Sequence, residues 1–168
     1  MAHEEAVDKT TDELVERAWE LAESIKTAVF ATWSGQRQHL TPMSATVERA
    51  VGALYFLTTF DAAKVGHIQR DPNVVVAFAD EGSNKYVTFS GRANVSNDRE
   101  KIRELWTVFA KAWWESADDP AIRLITVTPE EAELWDSPGK FVASVLMLTA
   151  AISGTQPAVG DHATVRVR

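Results

Sequence analysis

Apolar and polar positions alternate with a period near two over most of this chain, interrupted by three stretches with helical spacing. Residues 1–9 carry neither period and are expected to form a loose leader ahead of one domain, 10–168. Thr10 to Glu13 then has a capping-box pattern, and Leu14, Ala18, Leu21 and Ile25, widened by Trp19 and Ala22, form the stripe of a helix ending near Lys26. Thr27 to Trp33 alternates as a strand. Ser34-Gly35-Gln36 supplies a turn, and Gln38 to Val47 returns as the second arm of a hairpin. Pro42 lacks the backbone donor, so that arm belongs at an edge or bulge.

Gly52 to Thr59 predicts a third strand, Asp61 to Gln69 a short helix capped by Asp61, and Val74 to Ala79 a buried strand. Lys85 to Val95 is another strand, with Gly91 marking a bulge or a close backbone approach. From Asn97 the spacing predicts the clearest helix, with Ile102, Leu105, Trp106, Phe109 and Trp113 on one apolar face. Ala121 to Val127 and Ala132 to Trp135 read as strands separated by Thr128 to Glu131, a turn or helical start, and Val165 and Val167 suggest a last strand. Strands follow one another without intervening helices. That pattern argues against a doubly wound parallel sheet and favours a small antiparallel barrel or sandwich with peripheral helices, of six to eight strands.

Composition narrows the chemistry. The 168 residues are 45% apolar and 24% charged, which suits one packed domain. The absence of cysteine removes disulfides, thiolate metal sites and cysteine nucleophiles, and favours an intracellular, cytoplasmic setting. Glu4, Glu5, Asp8, Asp12, Glu13 and Glu16 argue against a targeting peptide, and the apolar stretch Phe141 to Ile152 is too short to span a membrane. A net charge of −7 without basic runs argues against nucleic acid, although a single phosphate needs only a local pocket.

The four histidines, His3, His39, His67 and His162, form no metal spacing and no triad, and each alone reads as surface or structural. Ser137 to Lys140 reads as a loop. More informative is Thr41-Pro42-Met43-Ser44, followed by Leu57-Thr58-Thr59 and the helix containing Lys64. Threonine hydroxyls, helix-start amides and Lys64 can meet one phosphate. Strand-ending threonines, a capping Asp61 and a solvated lysine account for the same residues. Among six tryptophans, Trp106 and Trp113 read as packing, Trp113 with Trp114 as a subunit interface, and Trp135 as either a platform for an aromatic ligand or a core cover.

The order of these pieces resembles the general stress protein branch of the pyridoxamine 5'-phosphate oxidase-like, FMN-binding split-barrel superfamily. The matching segments include Phe30-Ala31-Thr32, Thr41-Pro42-Met43, Leu54 to Thr59, Lys64, Asp71 to Val74, Tyr86 to Ala93, Asp98-Arg99, Leu105-Trp106, Asp118-Asp119-Pro120 and Glu133 to Asp136. The resemblance implies a mainly β, six-stranded antiparallel split barrel with peripheral helices, forming a homodimer with flavin in the groove between subunits. It implies that Leu40, Thr41, Pro42 and Met43 lie along the flavin ring, that Thr58 and Thr59 approach the ring or ribityl chain, and that Lys64 pairs with the phosphate. Trp135 would flank the ring from the partner subunit.

The chain departs from the pattern where Thr41 replaces an arginine and where Ala62-Ala63 precede Lys64 in place of Ser-Arg. Each lost contact is worth about 1–3 kcal/mol when desolvated, which implies modest FMN affinity unless Arg37, His39 or another group compensates. No match exists to the substrate-phosphate residues of the oxidases, so pyridoxamine phosphate oxidation is not expected. The resemblance implies an FMN-binding stress protein with low-specificity flavin reductase or oxidoreductase activity, using a small-molecule or nicotinamide electron donor. The alternatives are a carrier, sensor or protective protein without turnover, or a split barrel holding FAD, deazaflavin F420 or haem. No residue emerges as a catalytic acid or base, and none as a metal ligand.

Overall fold

The structure, a computed structural model, describes residues 11–136, 154 and 161–167. The leader 1–9, the Thr10 cap, His3, the Ser137 to Lys140 loop and the Phe141 to Ile152 stretch lie outside the described residues. The first helix, α1, spans Thr11–Ile25 and ends as Lys26 turns left-handed at φ 65°. Its stripe buries Ala18, Trp19, Leu21 and Ala22.

Eight strands follow: β1 (Thr27–Trp33), β2 (Gln38–Ser44), β3 (Thr46–Glu48), β4 (Ala53–Thr59), β5 (Asn73–Asp80), β6 (Lys85–Ser96), β7 (Ile122–Asp136) and β8 (Asp161–Arg166). They form one antiparallel sheet in the order β2-β1-β5-β6-β7-β4-β3, with β8 also on β7. The count is eight where the resemblance implied six. The 38–47 arm divides at Ala45 into β2 and β3, and β8 adds a further strand. Pro42 lies opposite Val29 on β2, the terminal strand of that order, as its missing donor requires.

Strands β1 and β4 are four positions apart in this order, about 19 Å if the sheet were flat. Yet the rings of Phe30 on β1 and Phe56 on β4 meet edge to face at 5.0 Å. The sheet therefore curls into a half-barrel. The core inside the curl contains Phe30, Phe56, Phe78, Phe89 and the alternate aliphatics of each strand, and Trp19 of α1 packs at 5.1 Å from Phe89.

Two segments depart from the periodicity reading. Thr128 to Glu131 is neither turn nor helix; it lies within the 15-residue β7. Gly91 pairs with Pro129 and Ser90 with Glu131, so Glu130 is the extra residue of a bulge. Pro129 falls between the stretch of β7 paired with β4 and the stretch paired with β8, where neither strand pairs with it.

The predicted long helix stops early. Helix α3 is Arg99–Leu105, capped by Asp98 rather than Asn97 through a 3.0 Å bond from the Lys101 amide. It covers the outer side of β4 and β7 with Ile102 and Leu105, against Ile122, Leu124, Tyr55 and Leu57. Beyond it, the β-branched pair Thr107-Val108 disfavours helix, Trp106 turns extended, and Val108–Ala112 is a short 3₁₀ segment. Trp106 and Trp114 remain on this cluster, whereas Phe109 and Trp113 are 86% and 80% exposed, contrary to the packing role expected for Trp113.

At Gly91 a Cβ would stand 2.2 Å from the Thr128 carbonyl oxygen and 2.8 Å from Pro129 Cα, both backbone atoms. Gly91→Ala is therefore expected to destabilise the fold by about 2–3 kcal/mol in urea unfolding, while Ser90→Ala, at an exposed neighbour, leaves the midpoint nearly unchanged.

Candidate functional site

Inner-facing residues of β4 run Leu54, Phe56 and Thr58, and Thr58 is the polar end of a buried row. Thr59 then links β4 to the next helix, its carbonyl accepting from the Ala62 amide at 3.1 Å. Helix α2 spans Ala63–Arg70, and its N-cap is Ala62, with no side-chain capping bond. The expected Asp61 cap is thus not made; Asp61 lies one residue too early for the helix that forms. Among the described residues, the amides of Ala63 and Lys64 donate to no acceptor. A helix start with unpartnered donors is a preformed anion contact.

Lys64 stands in this first turn, half-buried. Desolvation pushes its ammonium below the usual lysine range, and no carboxylate among the described residues pairs with it. Val65 and Ile68 anchor the helix in the interior. Between them His67 is also buried, at 7% exposure, and its Nδ1 lies 2.9 Å from the Thr32 hydroxyl of β1.

The hairpin β1–β2 completes this end of the half-barrel. Thr32 pairs with His39 and Phe30 with Thr41. Along β2, His39, Thr41 and Met43 are half-buried, while Leu40 and Pro42 face outward. The ring of His39 meets that of His67 edge-on at 5.2 Å, and His39 Nδ1 lies 3.5 Å from the Thr41 hydroxyl. Thr58, Thr59 and Lys64 are thereby carried by consecutive elements, with His67 tying α2 to the hairpin that holds His39 and Thr41. Histidine spacing alone did not reveal this. The available signal was His67 three residues after Lys64 and flanked by the two inward positions Val65 and Ile68.

The other expected site residues are distributed differently. Met43 packs against the main core, and Leu40 is 61% exposed on the opposite face of β2, so residues 40–43 do not present one surface. Trp135 pairs with Tyr86 and His162 near the far end of β7, whereas Thr58 pairs with Arg123 near its start. Twelve residues of strand separate those positions, about 40 Å of path. The imidazole of His162 stacks on Trp135 at 4.8 Å and bonds Glu133 at 2.7 Å. Among the described residues, no group of three metal-ligating side chains comes together, and no helix is long and apolar enough to cross a membrane.

Burial, reinforced by the positive charges of His39, Arg70 and Lys64, holds the His67 imidazole below its ordinary value of 6.5. Between its folded and unfolded pKa values the unfolded chain binds more protons, so stability is full above about 6.5 and falls as pH drops through that window. Urea unfolding at pH 8 and pH 5.5 is expected to show a larger acid loss for the native chain than for His67→Asn. Parallel losses would assign the slope to other groups.

A family model described as pyridoxamine 5'-phosphate oxidase like matches residues 13–158. General stress protein 26 of Bacillus subtilis (strain 168) is 26% identical over 95 residues, covering 55% of this chain and 68% of that protein. A crystal structure described as general stress protein 26 from Jannaschia sp. CCS1 superposes with a TM-score of 0.77 at 25% identity, over 94% of this chain and 99% of that one. A general stress FMN/FAD binding protein from Xanthomonas citri gives a TM-score of 0.66 at 26% identity, over 74% and 89%. With a match that spans β1 through β7 and the helices between them, the chain belongs to the pyridoxamine 5'-phosphate oxidase-like family.

Proposed function

We propose that this chain is a flavin-nucleotide-binding protein of the general stress type, that its cofactor is FMN, and that Lys64 anchors the phosphate. The observation that carries the reading is an uncompensated, half-buried ammonium at a helix start whose first two amides lack acceptors. Such an arrangement is costly without an anion and favourable with one. The FMN/FAD binding of the similar Xanthomonas citri protein supports a flavin as the molecule carrying that anion.

The residues present fit the phosphate end of such a group. Lys64 and the amides of Ala63 and Lys64 supply donors, and Thr58, Thr59 and Thr41 supply hydroxyls toward the ribityl chain and ring. The bound flavin would supply the redox chemistry, with a nicotinamide or another small-molecule donor feeding it. The chain's own part is to hold, orient and shield the cofactor. Saturable turnover of NADH or NADPH by the flavin-loaded protein would identify a reductase; its absence with several acceptors would favour a carrier or sensor.

A second copy of the chain completes this reading. The outward rows Leu40–Ala31–Val75 and Pro42–Val29–Ala77 run side by side across β2, β1 and β5. Leu40, Val29, Val75 and the adjoining Trp33 remain 61%, 40%, 40% and 38% exposed, and a shallow groove lined by Trp33, Gln38, Asn73 and Ser90 borders them. A contiguous apolar sheet face of this kind suits a self-complementary interface, and Trp135 of each subunit would then meet the other subunit's flavin.

Two measurements test these assignments. Lys64→Ala is expected to weaken FMN binding about tenfold or more in fluorescence titration with little change in unfolding midpoint. Unchanged affinity would move the phosphate elsewhere. Leu40→Arg is expected to convert a dimer to a monomer by light scattering, and a native chain that is already monomeric at micromolar concentration would overturn the interface.

A further inference from the structure

The cationic character of this end of the half-barrel exceeds what Lys64 alone provides. His39 projects from β2 toward His67 of α2, and Lys64 and Arg70 lie on that same helix. No carboxylate among the described residues pairs with Lys64, His39 or His67. Both histidines use Nδ1 toward a threonine, His67 with Thr32 and His39 with Thr41, and in each ring Nε2 has no hydrogen-bond partner among the described residues. Although His67 is buried, its Nε2 is not sealed inside the protein; among the described residues, the buried side-chain polar atom lacking a partner is Trp114 Nε1. The arrangement therefore leaves two ring nitrogens free beside one unpaired ammonium.

We infer that His39 is a second donor contact to the ligand's phosphate, that His67 positions it, and that together with Lys64 they select a terminal phosphate monoester. The inference rests on the phosphate site proposed above. It adds the origin of the grip where Ala62 and Ala63 leave no side-chain donor. Thr32 holds Nδ1 of His67, His67 packs edge-on against His39, and the edge strand β2 thereby brings His39 to the site from a different element than Lys64. Donors arriving from two separate elements favour a terminal monoester, which offers three unbridged oxygens, over a phosphate within a pyrophosphate, which offers two. The selected ligand class is thus FMN rather than riboflavin, which has no phosphate, or FAD, whose pyrophosphate joins the ribityl chain to adenosine and has no terminal phosphate.

Titration of the full chain with FMN, riboflavin and FAD tests this, with flavin fluorescence as readout. The native chain is expected to bind FMN at least tenfold more tightly than riboflavin or FAD. His39→Gln should lower FMN affinity about tenfold while leaving riboflavin affinity unchanged, so that the preference collapses. Thr32→Val, which touches no ligand in this scheme, should lower FMN affinity severalfold with riboflavin again unchanged. An undiminished FMN preference in His39→Gln overturns the inference while the flavin site stands. If the native chain binds no flavin, inorganic phosphate is the probe. A phosphate-dependent shift of the His39 ring resonances that disappears in Lys64→Ala supports the monoester pocket and overturns only the flavin reading, and no shift overturns both.

Discussion

The architecture depends on the pairing of β7. Its 15 residues run against β6 for nearly their whole length, while the opposite edge is shared by β4 at one end and β8 at the other. One strand can serve two partners on one edge only if it bends between them. The bulge at Glu130, with Gly91 admitting the Thr128 carbonyl and Pro129 placed where no β4 or β8 partner lies opposite, supplies that bend. The curl that follows brings Phe30 against Phe56, and with them the ends of β1 and β4 to which α2 is attached.

The candidate site is a consequence of that curl. Helix α2 has no chemistry of its own to hold it at the open end; Val65 and Ile68 seat it, and the Thr32–His67 bond fastens it to β1. The same seating half-buries Lys64 and leaves its charge without a counterion among the described residues. The packing that stabilises the helix thus also leaves that ammonium partly desolvated. Ala62 and Ala63 bring no side-chain donors to this turn, and they leave the first amides of the helix uncapped.

Periodicity located β1, β4, β5, β6 and α1 within a residue or two, because each has one face in a single core and so a clean alternation or stripe. It failed where an element meets two environments. Residues 128–131 look like a turn because Pro129 and two glutamates usually end strands, and only the unpaired gap on β7 makes them tolerable within one. Residues 97–117 look like one helix, ended by Asp118-Asp119-Pro120, because apolar residues recur at the correct spacing as far as Trp113. The outer face of β4 and β7 accepts Ile102 and Leu105, and the chain then leaves helical geometry at Trp106 with Phe109 and Trp113 in solvent.

By itself, the sequence determined a mainly β, antiparallel fold, the hairpin with Pro42 at an edge, the glycine at the bulge, and Thr58, Thr59 and Lys64 on consecutive elements. These are local properties, carried by side-chain alternation, by the missing donor of proline and by the missing Cβ of glycine. Only the tertiary structure decided that the sheet curls, that the face of β2 holding His39, Thr41 and Met43 turns inward, that Trp135 lies far along β7 from the Thr58 partner Arg123, and that His39 and His67 meet. Those facts depend on which surfaces are buried against each other across long separations in the chain. A histidine 28 positions from another carries no mark in the sequence that the folded sheet will bring their rings to 5.2 Å.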